Sequence, residues 1–135
     1  MQTFLPFPSF RESARVLDDK RLGKQRSEAR TILDQIRTCG GWYFHPAVQM
    51  WIGYESALEL YSDIVIVEWE DRGHRNAMEF VSTTNNVELP AWFGDPSFHA
   101  SHRSNLLRKN PEHYGQFGWC ESPDLPYVWP GRVRC

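Results

Sequence analysis

Residues Asp19–Arg37 read DKRLGKQRSEARTILDQIR, and this stretch decides the fold. Its apolar residues recur at the spacing of one helix face, whereas cations crowd its first half. The apolar set is Leu22, Ala29, Ile32, Leu33 and Ile36. The spacing predicts one amphipathic helix, and Gly40 and Gly41 are typical of the residues that end such a helix.

The residues before this helix predict an arm and a short helix. Thr3–Pro8 holds two prolines and cannot be helical throughout, which favours an extended N-terminal arm. Ser9 is suited to cap a helix over Glu12–Leu17.

The most apolar part of the chain, Ala47–Arg72, predicts a central core helix that begins at Pro46 and bends near Gly53. The β-branched run Ile64–Val67 leaves a strand open as the alternative, although the charged outer positions recur at helical spacing. His74–Val81 predicts a shorter helix. A polar loop, residues 82–88, follows.

The last third of the chain repeats one helix-start pattern. A capping residue followed by proline, at Asp95 and again at Asn110, opens a helix to about Lys109 and a short helix to Tyr114. Prolines after Gly118 exclude regular structure and predict an irregular, aromatic and proline-rich tail. The sequence therefore predicts an all-α, compact single domain over residues 1–135, with about four helices.

Composition limits the class of protein. The 135 residues are 41% hydrophobic and 14% aromatic, which excludes a disordered chain. No apolar run approaches the roughly 20 residues of a membrane span, and Met1–Phe10 lacks the pattern of a signal peptide, so a cytoplasmic protein is expected. The three cysteines have no C-x-x-C spacing, which argues against a zinc ribbon. No cofactor is expected.

Charge is distributed unevenly although the formal net charge is only -2. Arg11–Arg37 holds eight cations and five anions, and His99–Trp119 holds three cations and one anion. Glu55–Glu88 holds eight anions and two cations. A surface that binds phosphate is possible if the two basic segments are neighbours in space.

The cationic half of the first helix has two interpretations. On a helix, Arg21, Gln25 and Glu28 form a stripe beside the buried face, and Arg26 lies on the opposite border. Lys24 and Glu28 are four residues apart, so an ordinary surface ion pair is one interpretation. The other is an anion site around one acid. Gly23 favours close approach by another group, because glycine within a helix costs about 1 kcal/mol.

A second polar band lies on the predicted helix over Phe98–Lys109. Phe98, His102, Asn105 and Lys109 share one face, and His99 and Arg103 lie on the adjacent one. Such a band is typical of phosphate or base-edge contacts. A metal site at the two histidines is not expected, because no Glu-x-x-His pairing accompanies them.

His45 precedes a proline, where a histidine most often begins a helix and bonds locally. Its aromatic neighbours Trp42, Tyr43 and Phe44 could nonetheless stack a base.

Three stretches together resemble the pyrimidine-dimer DNA glycosylase/AP lyase family, the phage-type UV endonuclease V enzymes. They are RLGKQRSEAR at Arg21–Arg30, the Trp51–Gly73 segment, and the aromatic and basic Phe98–Trp119 segment. The chain is also similar to a set of small bacterial and phage proteins that begin MQTFLP and carry LDxxRLGKQR and HASHRSNLL. The resemblance implies a bundle of three main helices with an N-terminal arm threaded between them.

The resemblance also implies chemistry on DNA. In that family an N-terminal α-amine attacks C1′ of the damaged nucleotide, and a Schiff base then allows β-elimination of the 3′ phosphate. Glu28 matches the essential glutamate, and Arg26 and Arg30 match phosphate-binding arginines. Gln2 is not small, so Met1 is expected to be retained; the amine is that of Met1, or Lys20 or Lys24 replaces it, or no lyase step occurs.

The expected site is thus defined in two groups. The catalytic group is Glu28, Met1, Lys24 and His102, and the DNA-binding group is Arg21, Gln25, Arg26, Arg30, His45, His99, Arg103, Asn105 and Lys109. The expected partner is DNA, with a flipped or damaged base. Two other functions stay open: a non-catalytic nucleic-acid-binding or phage accessory protein, and an enzyme that acts on a free nucleotide.

Overall fold

The computed structural model describes residues 1–82 and 84–130; position 83 of the expected loop and positions 131–135 of the expected tail lie outside them. Over the described ranges the chain forms helices and no strand, so the predicted all-α class is confirmed. The helices are α1 (Phe10–Val16), α2 (Asp19–Thr38), α3 (Pro46–Gln49), α4 (Glu55–Asp71), α5 (Pro96–Lys109) and α6 (Pro111–Tyr114), followed by a 3-10 turn (Gly115–Phe117). None of these helices is long and apolar enough to cross a membrane.

Helix α2 is the element that the sequence predicts best. Its apolar stripe is fully buried at Leu22 and Ala29, and α2 packs chiefly against α4. The helix ends at Cys39, which adopts the left-handed conformation (φ 46°), directly before the two glycines. A cap in this conformation lets the next backbone amides donate to carbonyls of the last helical turn. Here the Gly40 N–H donates to the Gln35 carbonyl.

The prediction of one central helix is wrong. The chain forms the short α3, then a turn, and only then α4. Gly53, within the turn, has a positive φ of 87°, which an α-helix does not allow. Trp51 and Ile52 are nevertheless buried, so the apolar pattern continues through a segment that is not helical.

The predicted helix over His74–Val81 is also wrong, because this segment is extended. Part of its backbone bonds to side chains of α4. The Asp63 carboxylate accepts from the N–H groups of Val81 and Ser82 at 2.8 and 2.9 Å, and Trp69 Nε1 donates to the Arg75 carbonyl at 2.8 Å. These bonds replace the turn-to-turn bonds that a helix would need.

The predictions for α5 and α6 are confirmed, including their caps. Asp95 Oδ1 accepts from Ser97 N–H, and Asn110 Oδ1 accepts from His113 N–H. The described part of the tail is irregular and lies over α5. Ser104 Oγ accepts from Leu125 N–H at 2.9 Å there.

Candidate active site at the N-terminal arm

Side chains of α5 hold the N-terminal arm in place by hydrogen bonds to the backbone of the arm. Leu5 N–H donates to His102 Nδ1 at 2.9 Å, and the Leu5 carbonyl accepts from His99 Nδ1 at 2.7 Å. Arg103 Nη1 donates to the Pro6 carbonyl at 2.7 Å. Leu5 is fully buried, so these side chains satisfy peptide groups that water cannot reach.

These bonds define the protonation of both histidines. His99 Nδ1 donates to Leu5 while its Nε2 accepts from Gly94 N–H, and His102 Nδ1 accepts from Leu5, so each ring is neutral in a different tautomer. Burial lowers the pKa of His102 to about 3, and the neighbouring His99 adds to the shift. Burial also lowers the pKa of His99, although the bond to Leu5 opposes it.

Gln25 of α2 holds the arm from the opposite side. Its Oε1 accepts from Phe4 N–H at 2.9 Å and from the Tyr61 hydroxyl at 2.7 Å, and its Nε2 donates to the Gln2 carbonyl at 2.9 Å. Gln25 is only 2% exposed. The arm is therefore fixed between α2, α4 and α5. This places Met1 beside α2.

At that place lies a cavity of about 250 Å³, which we call the N-terminal cavity. Its lining joins the start of the chain to the cationic half of α2 and to the end of α5. The lining residues are Met1, Gln2, Phe4, Lys20, Arg21, Lys24, Gln25, Glu28 and Lys109. The cavity thus brings together Met1, Lys24 and Glu28 of the expected catalytic group, with Arg21, Gln25 and Lys109 of the binding group.

The N-terminal cavity is strongly cationic. Burial of the Lys109 amine, followed by repulsion from Arg21, Arg108 and Lys24, lowers its pKa, which shows how closely these cations crowd together. Glu28 is the one carboxylate among the lining residues. Such a set of charges can bind an anion such as phosphate and hold one acid beside it.

The surface ion pair between Lys24 and Glu28 does not form. Among residues 1–82 and 84–130, the Glu28 carboxylate makes no ion pair or hydrogen bond. The carboxylate is therefore available to a ligand in the cavity.

Gly23 serves packing rather than ligand approach. A Cβ at this position would lie 3.0 Å from two ring atoms of Trp69, tighter than ordinary contact. The Arg26 guanidinium lies over the same indole ring, 4.3 Å from its centroid. The ring also stacks on His74, with the ring centroids 4.0 Å apart. Glycine at this position lets α4 pack closely against α2.

Arg26 and Arg30 of the expected binding group lie outside the N-terminal cavity. Arg26 Nη1 donates to Asn76 Oδ1 at 2.8 Å, and Arg30 donates to the Glu79 carbonyl. Both arginines thus lie on the opposite border of α2, under the extended 74–82 segment.

Most of the polar band of α5 faces inward as well. His102 is 0%, Asn105 1% and His99 2% exposed. Asn105 Nδ2 donates to the Ser101 and Leu125 carbonyls, and Arg103 pairs with Glu121 at 2.9 Å. Lys109 is the member of this band that lines the N-terminal cavity.

His45 begins helix α3, the role expected of a histidine before proline. Its Nδ1 accepts from Ala47 N–H at 3.0 Å. Burial, followed by repulsion from the N-terminal ammonium, lowers the His45 pKa, while Glu28 opposes the shift. His45 therefore lies within electrostatic range of both the N-terminus and Glu28.

Sequence reasoning missed several residues of this region. Gln2 and Phe4 line the N-terminal cavity, and Tyr61 and Trp51 hold the arm, with Trp51 Nε1 donating to Thr3 Oγ1 at 3.1 Å. From the sequence, Tyr61 and Trp51 are interpreted as core residues, because their spacing is that of a buried face. No sequence signal shows that their polar atoms reach the arm.

A family model described as pyrimidine dimer DNA glycosylase matches residues 1–82. This range contains the arm, the whole of α2 and every lining residue of the N-terminal cavity except Lys109. Comparison with curated proteins and with solved structures gives no match. The described residues contain no group of three or more His, Cys, Asp or Glu side chains placed to hold a metal ion.

Proposed function

The chain belongs to the pyrimidine dimer DNA glycosylase family, and from this premise we propose that it breaks the glycosidic bond of a damaged pyrimidine in DNA. The observation that carries the proposal is the N-terminal cavity, where Met1 and Glu28 share one space with four cationic side chains. A nucleophilic amine, a carboxylate and a phosphate site are the three groups that this chemistry requires.

In the proposed reaction the α-amine of Met1 is the nucleophile. Its lone pair forms a bond to C1′, and the bond from C1′ to the base breaks, with the electron pair leaving on the base. The base takes up a proton, and the attacking nitrogen loses one. The nitrogen lone pair then breaks the bond from C1′ to O4′, O4′ takes up a proton, and an iminium ion forms. Loss of a proton from C2′ then expels the 3′ phosphate and breaks the strand.

Glu28 is the acid–base group of this proposal. Its carboxylate lies in the cavity and makes no ion pair or hydrogen bond with the residues that the structure describes, so it can stabilise the cationic iminium and move protons during the reaction. Lys20, Lys24, Arg21 and Lys109 bind the phosphates that flank the nucleotide. Lys20 and Lys24 also carry the alternative amines.

The remaining residues of the expected site take positioning roles in this account. His99, His102, Arg103 and Gln25 hold the arm, and thereby place Met1 in the N-terminal cavity. Arg26 and Arg30 hold the extended 74–82 segment. Asn105 holds the tail.

Borohydride trapping tests the proposal. The protein is incubated with duplex DNA that contains an abasic site or, separately, a cyclobutane pyrimidine dimer, and borohydride reduces any iminium to a stable adduct. We expect an adduct with the wild type and loss of it in Glu28→Gln, which keeps the shape of the side chain. Asp34→Asn, an exposed carboxylate of the same helix, is the matched control and should react as the wild type does.

Absence of an adduct from both DNAs would contradict the proposal. Binding to the same DNAs that weakens steeply with salt would then favour a non-catalytic DNA-binding protein. Absence of salt-dependent DNA binding would favour an enzyme that acts on a free nucleotide.

A further inference from the structure

Trp42 has an exposed ring that is open for stacking. Other rings are less accessible: Tyr43 is 4% and Trp92 8% exposed, and Trp119 stacks on Tyr114 at 5.6 Å. Trp42 is 59% exposed. It lies in the turn between α2 and α3, where its backbone N–H donates to Gln35 Oε1 at 2.8 Å.

His45 lies directly beside this ring. The centroid of the His45 ring is 6.1 Å from that of Trp42 and 6.3 Å from that of Trp129. Because Nδ1 accepts from the Ala47 N–H, the neutral ring carries its proton on Nε2. His45 therefore presents a hydrogen-bond donor next to an open aromatic face.

A chain of contacts joins this pair of residues to the N-terminal cavity. Trp129 contacts the ring of Tyr127 at 5.3 Å, and the Tyr127 hydroxyl interacts with the side chain of Gln2, which lines the cavity. The N-terminal ammonium and Glu28 both act on the charge of His45. The exposed ring is thus linked to the cationic cavity through His45, Trp129, Tyr127 and Gln2.

We propose that Trp42 and His45 form a base subsite, in which an unstacked nucleobase of the bound DNA lies on the Trp42 face and accepts a hydrogen bond from His45 Nε2. This inference rests on the proposed function, since the cations of the N-terminal cavity bind the phosphates of the same strand. Charge favours DNA over an apolar peptide here, because Lys20, Lys24 and Lys109 attract a polyanion. A stacked base of any kind fits the open ring, and the donor selects for an acceptor at the base edge.

The test measures binding without chemistry. The duplex carries a tetrahydrofuran abasic analogue, which cannot form an iminium, and a 5-iodouracil opposite the analogue for photo-crosslinking. We expect Trp42→Leu to weaken binding to this duplex by about 5- to 100-fold, the effect of one lost base–aromatic stack. Binding to an undamaged duplex should not change. We expect the crosslink to map to Trp42.

Two variants control for structure. Phe44→Leu removes an equally open ring (64% exposed) two residues away and should bind as the wild type does. His45→Asn keeps an acceptor that can cap α3 but loses the Nε2 donor, so we expect an unchanged melting temperature and about 2- to 10-fold weaker binding to the analogue duplex.

The outcomes separate this inference from the proposed function. If Trp42→Leu binds both duplexes as the wild type does, or loses no more than Phe44→Leu, the base subsite is wrong. If the wild type gives no borohydride adduct but Trp42→Leu still loses binding to the analogue duplex, the reaction is wrong and the base subsite stands.

Discussion

Helices α2 and α5 carry similar polar and cationic residues, yet they use them differently. On α2 the stripe of Arg21, Gln25 and Glu28 borders an open cavity, whereas on α5 His99 and His102 turn inward to the backbone of the arm. The difference lies in what each helix packs against. Because an extended arm has no internal hydrogen bonds, its buried peptide groups need partners, and the polar band of α5 supplies them.

The largest expected effect on the α5 side is a dependence of stability on pH. His102 is neutral when folded, with a pKa of about 3, and titrates near 6.5 when unfolded. As the pH falls from about 6.5 toward 3, the unfolded chain binds a proton that the folded chain does not, so the free energy of unfolding decreases. His99 acts in the same direction. We expect a loss of about 2 kcal/mol between pH 7 and pH 5 from His102.

Urea unfolding at both pH values measures this effect. His102→Asn offers an acceptor to Leu5 but does not titrate, so it should lose the His102 part of the pH dependence. Equal pH dependence in the wild type and the variant would show that His102 is not the cause.

The next prediction distinguishes the two helices, because a variant on α2 should change the reaction rate and a variant on α5 should change stability. On α2, Glu28→Gln should slow cleavage of an abasic duplex by at least about 100-fold, because an acid–base group is lost, and leave the melting temperature unchanged. On α5, Asn105→Ala should lower stability by about 1–3 kcal/mol, because the buried Asn105 amide no longer donates to the Ser101 and Leu125 carbonyls. Its single-turnover rate should stay within a few-fold of the wild type.

The reverse pattern, with an unstable Glu28→Gln and a stable but inactive Asn105→Ala, would exchange the roles that we assign to the two helices.

Gln25 lies on the side of α2 that borders the cavity, and it also holds the arm. Its loss should therefore lower both the reaction rate and the stability. Gln25→Ala leaves the buried Phe4 N–H without its acceptor and frees Gln2, which should cost about 1–3 kcal/mol and slow cleavage as Met1 leaves its place. Thermal melts and single-turnover kinetics measure the two losses. Lys24→Ala, an exposed neighbour, should not change the melting temperature. A Gln25→Ala protein with normal stability would contradict the role of Gln25 in holding the arm.

The smallest effect compares the two borders of α2 itself. Lys24→Ala should weaken DNA binding a few-fold and lower the slope of log affinity against log salt by about one, as expected for one lost phosphate contact. Arg26→Ala should leave that slope unchanged and lower the melting temperature instead, because Arg26 bonds to Asn76 and packs on Trp69. Equal salt slopes for the two variants would remove the distinction between the borders.

The sequence predicts α2 and its cavity stripe because both follow from local spacing. Leu22, Ala29 and Leu33 define the buried face, and the positions of Arg21 and Glu28 follow from it. The same reasoning predicts the caps at Asp95 and Asn110, since a cap depends on residues two or three positions away.

Two of the failures share one physical cause, which is a partner distant in sequence. The 74–82 segment is extended because Asp63 accepts two of its N–H groups, and His102 is buried because Leu5, 97 residues away, donates to it. The apolar run through Trp51 and Ile52 hides a turn because both side chains are buried without helical backbone. Composition and periodicity do not predict contacts between residues that are distant in sequence.

The central claim is that the arm places the Met1 amine in the N-terminal cavity beside Glu28. Peptide mapping by mass spectrometry of the borohydride-reduced adduct tests it most directly, with Lys20→Arg and Lys24→Arg as variants that keep the charge but remove the alternative amines. The account predicts that the DNA-derived mass lies on Met1 and that both variants still form the adduct. An adduct on Lys20, Lys24 or any other residue, with Met1 unmodified, would contradict it.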